Sequence, residues 1–215
     1  MLVKELMSLD PIVIAPDASL HDALQLMREH QVRRLPVLSR DGKLVGIVLE
    51  KDLLYASPSP ATSLSVYELN YLMSKITIES LMSRDVITVT EDCPLEEAAR
   101  IMADNQIGGL PVMREGRLVG MITESDLFKV FLDLLGARDP GLRVTILVEE
   151  GRGVLARVTQ AISNHDADIV SLSTFEGDSP SRRELTFKVQ GLHREQIAAI
   201  VEELDAELVD LRETS

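Results

Sequence analysis

The chain has 215 residues, of which 45% are hydrophobic and 27% charged, so it can form one or two ordinary domains or three small ones rather than a disordered chain. Its formal net charge of −13 and its 3% of aromatic residues exclude nucleic acid as a partner, because that partner needs a basic face and stacking side chains. The single cysteine, Cys93, excludes an internal disulfide, and no bilayer-spanning apolar run or signal peptide is evident, so we expect a soluble cytoplasmic protein without membrane contact.

An internal repeat organises the first two thirds of the chain. Three tripeptides occur twice, 75 or 74 residues apart. The pairs are Leu-Met-Ser at 6–8 and 81–83, Leu-Pro-Val at 35–37 and 110–112, and Leu-Val-Gly at 44–46 and 118–120. This many identities in register is far beyond chance, and the pattern predicts two copies of one structural unit.

Each copy predicts the same order of elements. In the first copy a β-rich run at 12–14 precedes a helix whose apolar residues have helical spacing from Leu20 onward. Two strands follow, joined by a tight turn at Asp41-Gly42, and a second helix begins near Glu50. The unit is therefore β-α-β-β-α, an α/β (α+β) arrangement in which helices cover the strands, and the two copies are expected to pack as a pair.

A linker separates the two copies. The segment 57–63 is rich in proline and serine, which indicates a loop. After it, residues 66–73 have a helical, apolar pattern that places Tyr67 and Tyr71 one turn apart. Two interpretations stay open for this helix: a connector that packs on the pair of repeats, or a face for a dimer or another partner.

A different pattern follows the breaker-rich segment 136–141. Strands are predicted at 143–148, 169–175, 184–189 and 208–211, and helices at 154–163 and 194–204. The order β-α-β-β-α-β is the ferredoxin-like arrangement. The expected boundaries are 1–54 for the first repeat, 55–77 for the linker and its connector helix, 78–135 for the second repeat and 142–215 for the third unit.

The doubled unit resembles a tandem CBS-domain module (a Bateman module). The resemblance rests on Leu-Pro-Val before the second strand of each copy and on Gly-Met-Ile-Thr-Glu-Ser-Asp at 120–126, and it covers about residues 1–135. It implies a regulatory sensor rather than an enzyme, with an adenosyl ligand (AMP, ADP, ATP or S-adenosylmethionine) in the cleft between the repeats. No catalytic cofactor is implied.

The resemblance also implies which residues form the nucleotide site. We expect Asp126 to bind the ribose hydroxyls and Thr123 to donate to ribose or phosphate, at a helix start that favours anions. The complete expected set is Thr123, Ser125, Asp126, Met121, Ile12, Val32, Arg33 and Arg34. In this set the apolar side chains hold the base and the two arginines hold phosphate. The same Thr-x-x-Asp pattern is also typical of a helix N-cap, which is the alternative interpretation.

A second, weaker site is expected on the first repeat. Its residues are Asp52, Lys51, Ile87, Ile107 and Gly108. Leu49 stands where the other copy has Thr123, and Gly108-Gly109 replace the arginine pair. We therefore expect one competent nucleotide site, and a second that is either empty or accepts an uncharged adenosyl group.

The third unit resembles an ACT domain, through Gly153-Val154-Leu155 at its first strand–helix turn and through its length. The resemblance implies edge-to-edge pairing between chains and a small ligand, commonly an amino acid, near the turn. That turn comprises Gly151, Arg152, Gly153 and Val154. The whole chain is similar to acetoin-utilisation-type CBS–ACT regulatory proteins, which implies a homodimer through CBS and ACT surfaces and a downstream protein that the sequence does not identify.

Several patterns in the sequence are similar to catalytic or metal-binding signals. Gly-x-Gly-x-x-Ala at 151–156 fits a dinucleotide fingerprint, but only four short strands accompany it, which leaves no second mononucleotide half. The four histidines are scattered without metal-ligand spacing, and Cys93 has no neighbouring partner, so no metal site is expected. A second hypothesis from another class is an amino-acid-responsive oligomeric adaptor in which the CBS pair is only a scaffold.

Overall fold

The computed structural model describes residues 1–57 and 65–214. It divides the chain into two compact units, Met1–Leu127 and Phe128–Ser215. The loop predicted at 57–63 lies outside the described residues except for Ser57. Among the described residues, no helix is long and apolar enough to cross a membrane.

Both repeats form the predicted β-α-β-β-α pattern. The first contains a 3-10 helix (Val3–Glu5), β1 (Ser8–Leu9), α1 (Leu20–His30), β2 (Arg34–Leu38), β3 (Leu44–Leu49) and α2 (Glu50–Ala56). After α3 (Val66–Lys75), the second contains α4 (Ile78–Leu81), β4 (Val89–Thr90), α5 (Leu95–Asn105), β5 (Gly109–Arg114), β6 (Arg117–Thr123) and α6 (Glu124–Leu134). One expected strand does not form in full: the run at 12–14 forms only a single parallel bridge, from Ile14 to Val37.

The long helices of the repeats bury the faces that the apolar spacing predicts. On α1, Leu20, Ala23 and Met27 are buried in the core of the first repeat. The helix begins after Ser19, whose hydroxyl accepts a hydrogen bond of 3.1 Å from the N–H of Asp22 and so satisfies one of the unpaired donors at the helix end. Burial of each large apolar side chain contributes about 1.5–3 kcal/mol, so packing rather than helix propensity fixes α1.

Each repeat gives its N-terminal segment to the hairpin of the other repeat. β1 pairs antiparallel with β6, which places Ser8 opposite Met121. At the equivalent place, the N–H groups of Ser83 and Ile47 donate to each other's carbonyl oxygens, at 2.9 and 3.0 Å. The four-stranded sheet β1-β6-β5-β4 therefore contains one strand of the first repeat and three of the second, and β2-β3 forms a separate hairpin.

Two glycines allow the N-terminal segment of each repeat to lie close to the hairpin of the other repeat. An ideal Cβ on Gly120 would lie 2.7 Å from Met7 Sδ and 2.9 Å from the carbonyl oxygen of Ser8. On Gly46 it would lie 2.5 Å from Met82 Sδ. Real Cβ atoms do not approach neighbours so closely, so each thioether lies directly against the glycine backbone of the other repeat.

The second unit has the predicted ferredoxin-like fold. Beyond the end of α6 it contains β7 (Gly141–Glu149), α7 (Val154–Ser163), β8 (Asp168–Glu176), β9 (Arg182–Gln190), α8 (Arg194–Glu203) and β10 (Glu207–Thr214). The antiparallel sheet has the order β10-β7-β9-β8, with Val144 and Phe187 among the residues fully buried beneath the two helices. The outer strands β8 and β10 each have one unpaired edge within this sheet.

The segment after α6 covers part of the other face of this sheet. Lys188 is only 4% exposed, and its Nζ donates to the carbonyl oxygen of Gly136 at 2.7 Å. Ser171 Oγ donates to the carbonyl oxygen of Leu135 at 3.1 Å. Gly136 has a φ of +57°, and a Cβ there would lie 2.5 Å from Val170 Cγ1, so a glycine is required. Side chains of β8 and β9 thus hold the end of α6.

Candidate functional site

A cavity of about 560 Å³ opens within the first unit, between the two repeats. It is lined by residues 8–12 and 31–34 of the first repeat and by Gly108, Met121 and residues 123–125 of the second. Every residue predicted for the first nucleotide site lines this cavity except Asp126, which is hydrogen-bonded to the lining residue Thr123. Segments distant in sequence are brought together here by the exchange of N-terminal segments.

Three of the apolar side chains that line the cavity come from segments distant in sequence. Met121 is 7% exposed and lies on β6 opposite Ser8 of β1. Ile12 follows β1, and Val32 lies between α1 and β2; both are half-buried. An adenine-sized aromatic ring requires such an apolar slot with a few polar groups around it.

The polar end of the cavity is the start of α6. Thr123 is the last residue of β6, and Glu124 begins the helix. The carboxylate of Asp126 accepts the N–H of Thr123 at 3.1 Å and the Oγ1–H of Thr123 at 2.7 Å. The capping interpretation of Thr-x-x-Asp is therefore realised in part. A ribose that binds to Asp126 must share this carboxylate with Thr123.

Arg34 is the most unusual group in the cavity. Its guanidinium lies over Gly108 and Gly109, because a Cβ on Gly108 would be 2.8 Å from Nη2 and a Cβ on Gly109 would be 3.0 Å from Cζ. Burial lowers the pKa of the Arg34 guanidinium, Glu124 opposes this shift, and the neighbouring Arg33 adds to it. Among the described residues, Nη1 of Arg34 is the one buried side-chain nitrogen or oxygen without a hydrogen-bond partner.

Two acidic residues of the cavity were missed by the sequence reasoning. Asp10 and Glu124 line it together with Arg33 and Arg34, so the site carries both signs of charge rather than a cationic doublet alone. Glu124 lies inside the Thr-x-x-Asp segment, which was a usable signal. Asp10 has a φ of +48°, a backbone conformation that sequence alone does not reveal.

The residues expected for the second site are placed on several elements. Lys51 and Asp52 lie in the first turn of α2, where the N-cap residue, Leu49, makes no side-chain hydrogen bond. Ile87 is 39% exposed, and Ile107 is half-buried after α5. Gly108, which we expected in this second site, lines the first cavity.

The turn predicted for the ACT ligand lies at a smaller cavity, of about 280 Å³, within the second unit. Gly151, Gly153 and Val154 line it, whereas Arg152 is exposed. Gly153 is the N-cap of α7 with a φ of +78°, which explains why this position favours glycine. The guanidinium of Arg183, another lining residue, forms an ion pair with the carboxylate of Glu150.

No group of three or more His, Cys, Asp or Glu side chains that could hold a metal ion lies within residues 1–57 and 65–214. Burial raises the pKa of the Cys93 thiol, and the nearby carboxylates of Glu97 and Glu96 raise it further. The thiolate is the reactive form of cysteine, so these shifts disfavour Cys93 as a nucleophile.

Comparison with protein families agrees with the two-part organisation. A model described as the CBS domain matches residues 3–59 and 78–133. A model described as the TTHA0829-like ACT domain matches residues 140–212. The CBS matches coincide with the doubled sequence, and the ACT match with the ferredoxin-like sheet.

Several solved structures are similar to this chain. The CBS domain pair of protein MJ0100, in complex with 5′-methylthioadenosine and S-adenosyl-L-methionine, is 32% identical, covers 61% of this chain and 95% of its own, and has a TM-score of 0.51. CBSX2 in complex with AMP is 31% identical, covers 61% and 96%, and has a TM-score of 0.50. The acetoin utilization protein AcuB from Vibrio cholerae is 31% identical, covers 65% and 96%, and has a TM-score of 0.53.

Proposed function

Because the chain belongs to the CBS-domain family and ends in an ACT domain, we propose that it is a regulatory protein, not an enzyme, that binds an adenosyl ligand between its two CBS repeats. The observation that carries the proposal is the 560 Å³ cavity lined by the residues expected from the sequence. The similar structures of the MJ0100 CBS domain pair and of CBSX2 are complexes with adenosyl compounds, which supports this class of ligand.

The proposal places each part of the ligand against a side chain of matching chemistry. The base lies between Ile12, Val32 and Met121, which exclude water from its faces. The ribose hydroxyls donate to the carboxylate of Asp126. The 5′ substituent lies near Arg34, where a phosphate would accept hydrogen bonds from the guanidinium.

The charge of the cavity favours ligands with few phosphates. Arg33 and Arg34 are opposed by Asp10 and Glu124, so the lining side chains are nearly balanced in charge. Beyond about 8 Å, salt screens the repulsion between the acidic chain and an anion, and these local groups decide the preference. We therefore propose AMP or an adenosyl compound without phosphate, such as S-adenosylmethionine, ahead of ADP and ATP.

The proposal includes a homodimer. Strand β8 has an unpaired edge in the sheet of the second unit, and Phe175 on it is 51% exposed. An unpaired edge offers backbone donors and acceptors to a second copy of the same strand. A mass measurement in solution tests this part: two chains per particle are expected, and a monomer at all concentrations would contradict it.

Ligand binding would act on the relative position of the repeats. The cavity is built from both of them, so a bound nucleotide favours the arrangement that closes its lining. The ligand can shift the equilibrium between the two arrangements of the repeats by no more than the difference in its binding free energy for them. The proposed location is the cytoplasm, and the downstream protein is not identified by any feature of the chain.

The alternative function, an amino-acid-responsive adaptor, has one observation in its favour. The cavity at Gly151 and Gly153 is separate from the nucleotide cavity and lies in the ACT domain. Thermal-shift screening of adenine nucleotides, S-adenosylmethionine and amino acids distinguishes the two functions. Ligands stabilise the state that binds them, so the proposal predicts a rise in melting temperature with adenosyl compounds. A rise with amino acids alone would overturn it.

A further inference from the structure

We propose that Gly109 is a positioning residue that makes the nucleotide cavity select ligands with an anionic 5′ group. Because Gly109 has no side chain, the Arg34 guanidinium can occupy the space where a Cβ would lie. This inference rests on the proposed function and deepens it, since it names the residues, Gly109 and Arg34, that make the cavity prefer an anionic 5′ group. It does not depend on the ACT domain or on the oligomeric state.

Arg34 and Gly109 occupy equivalent positions in the two repeats. Arg34 begins β2 and lies opposite Leu49 on β3, whereas Gly109 begins β5 and lies opposite Thr123 on β6. Each immediately precedes a Leu-Pro-Val tripeptide, so the repeat supplies an arginine on one side and no side chain on the other. The two positions are thus equivalent in fold but opposite in chemistry.

The two positions also meet in space. An ideal Cβ on Gly109 would overlap Nη1 of Arg34 and would lie 3.0 Å from Cζ. A Cβ on Gly108 would lie 2.8 Å from Nη2. The guanidinium therefore lies against the Gly108-Gly109 backbone, and no larger residue at 109 is compatible with this position. Two arginines, one from each repeat, could not occupy it together.

The position leaves Arg34 ready to accept an anion. Its Nη1 is buried without a partner among the described residues, and an unsatisfied buried donor is energetically unfavourable. A phosphate oxygen would satisfy that donor with a charge-assisted hydrogen bond. Glu124, also in the lining, supplies one negative charge, so a single phosphate suits the site better than three.

The same glycine explains a difference between the two halves of the cleft. Because position 109 has no side chain, this position supplies no arginine for the half of the cleft near Asp52. Of the two equivalent positions, 34 and 109, it is position 34 that carries an arginine able to select an anion. Arg34 lines the cavity together with Thr123. The binding stoichiometry expected for AMP is one per chain.

The experiment compares AMP with adenosine, which differ only in the phosphate, by titration calorimetry on the full chain. Wild type should bind AMP about tenfold to a hundredfold more tightly than adenosine, as expected for a charge-assisted hydrogen bond. Gly109→Ala should reduce that ratio toward one while adenosine affinity stays within about threefold. Its backbone φ lies outside the left-handed region, but the Cβ would also lie 3.0 Å from the carbonyl oxygen of Ile122, so the melting temperature of the variant is measured first to show that it is folded.

Further variants separate positioning from a general structural effect. Arg34→Met should reduce the ratio as Gly109→Ala does, and the double variant should be no worse than Arg34→Met, because both changes remove one interaction. Arg40→Met, which removes an exposed arginine of the same unit, is the matched control and should keep the wild-type ratio.

Two results would overturn the inference alone, and a third would overturn the proposed function as well. A wild-type ratio in Gly109→Ala, or in Arg34→Met if the glycine variant does not fold, overturns the inference. Equal binding of AMP and adenosine by wild type overturns the inference but leaves the proposed function intact. If no adenosyl compound binds wild type, the proposed function and the inference both fail.

Discussion

The close approach of the two repeats at Gly120 makes a definite prediction. In Gly120→Ala, the new methyl group would lie 2.7 Å from Met7 Sδ and 2.9 Å from the carbonyl oxygen of Ser8. The thioether can turn away, but the carbonyl belongs to the backbone of β1, which pairs with β6. Overpacking of this kind costs about 1–3 kcal/mol, and alanine's lower unfolded-state entropy offsets about 0.4–1 kcal/mol of it. The net expectation is a loss of about 1–2 kcal/mol.

Urea unfolding, followed by far-UV circular dichroism, measures this loss. The chain has two compact units, so the transition assigned to the first unit must be analysed by itself. Gly151→Ala, in the second unit, controls for the loss of a glycine itself, because its Cβ would meet only Val154 Cγ2 at 3.9 Å and its φ is not in the left-handed region. It should leave the transition of the first unit unchanged and stabilise the second unit by about 0.4–1 kcal/mol through lower unfolded-state entropy. If Gly120→Ala leaves the transition of the first unit as in wild type, the repeats do not approach as closely as described.

Three further predictions concern stability. Lys188→Ala should destabilise the second unit by about 1–3 kcal/mol, because the carbonyl oxygen of Gly136 loses its buried donor; an unchanged denaturation midpoint would contradict this. Ser19→Ala should cost about 1 kcal/mol through the lost cap of α1, and a melting temperature equal to that of wild type would count against it. Hydrogen bonding to Lys43 lowers the pKa of the Asp41 carboxyl to about 2, so its stabilisation is complete above about pH 4 and is lost as the pH falls toward 2. Asp41→Asn should flatten the pH dependence of the melting temperature in that interval, and parallel curves would refute the assignment.

The sequence predicted the elements of this protein well because its apolar spacing is regular. The helix expected at 154–163 is α7 with the same bounds, and the paired β-α-β-β-α units are confirmed. The weak point was the run at 12–14, which forms one bridge rather than a strand. Its residues favour extended backbone, but β propensity alone does not determine how many ladder hydrogen bonds form.

The exchange between repeats could not be predicted, because it depends on contacts between distant residues. Ser8 pairs with Met121, and nothing in a repeated tripeptide tells which sheet its strand will join. The same limit applies to Arg34, which was expected beside phosphate but not over the backbone of Gly109. Lys188 illustrates another limit, since a lysine on a strand usually predicts an exposed face and here it is buried.

The central claim is that an adenosyl ligand binds at Asp126, and titration of AMP into three forms of the full chain tests it most directly. Wild type should bind one AMP per chain, Asp126→Ala should bind at least about tenfold more weakly, and Asp52→Ala should bind as wild type does. Melting temperatures of both variants show whether they are folded. Binding of AMP by Asp126→Ala with wild-type affinity, or equal losses in both variants, would contradict the account.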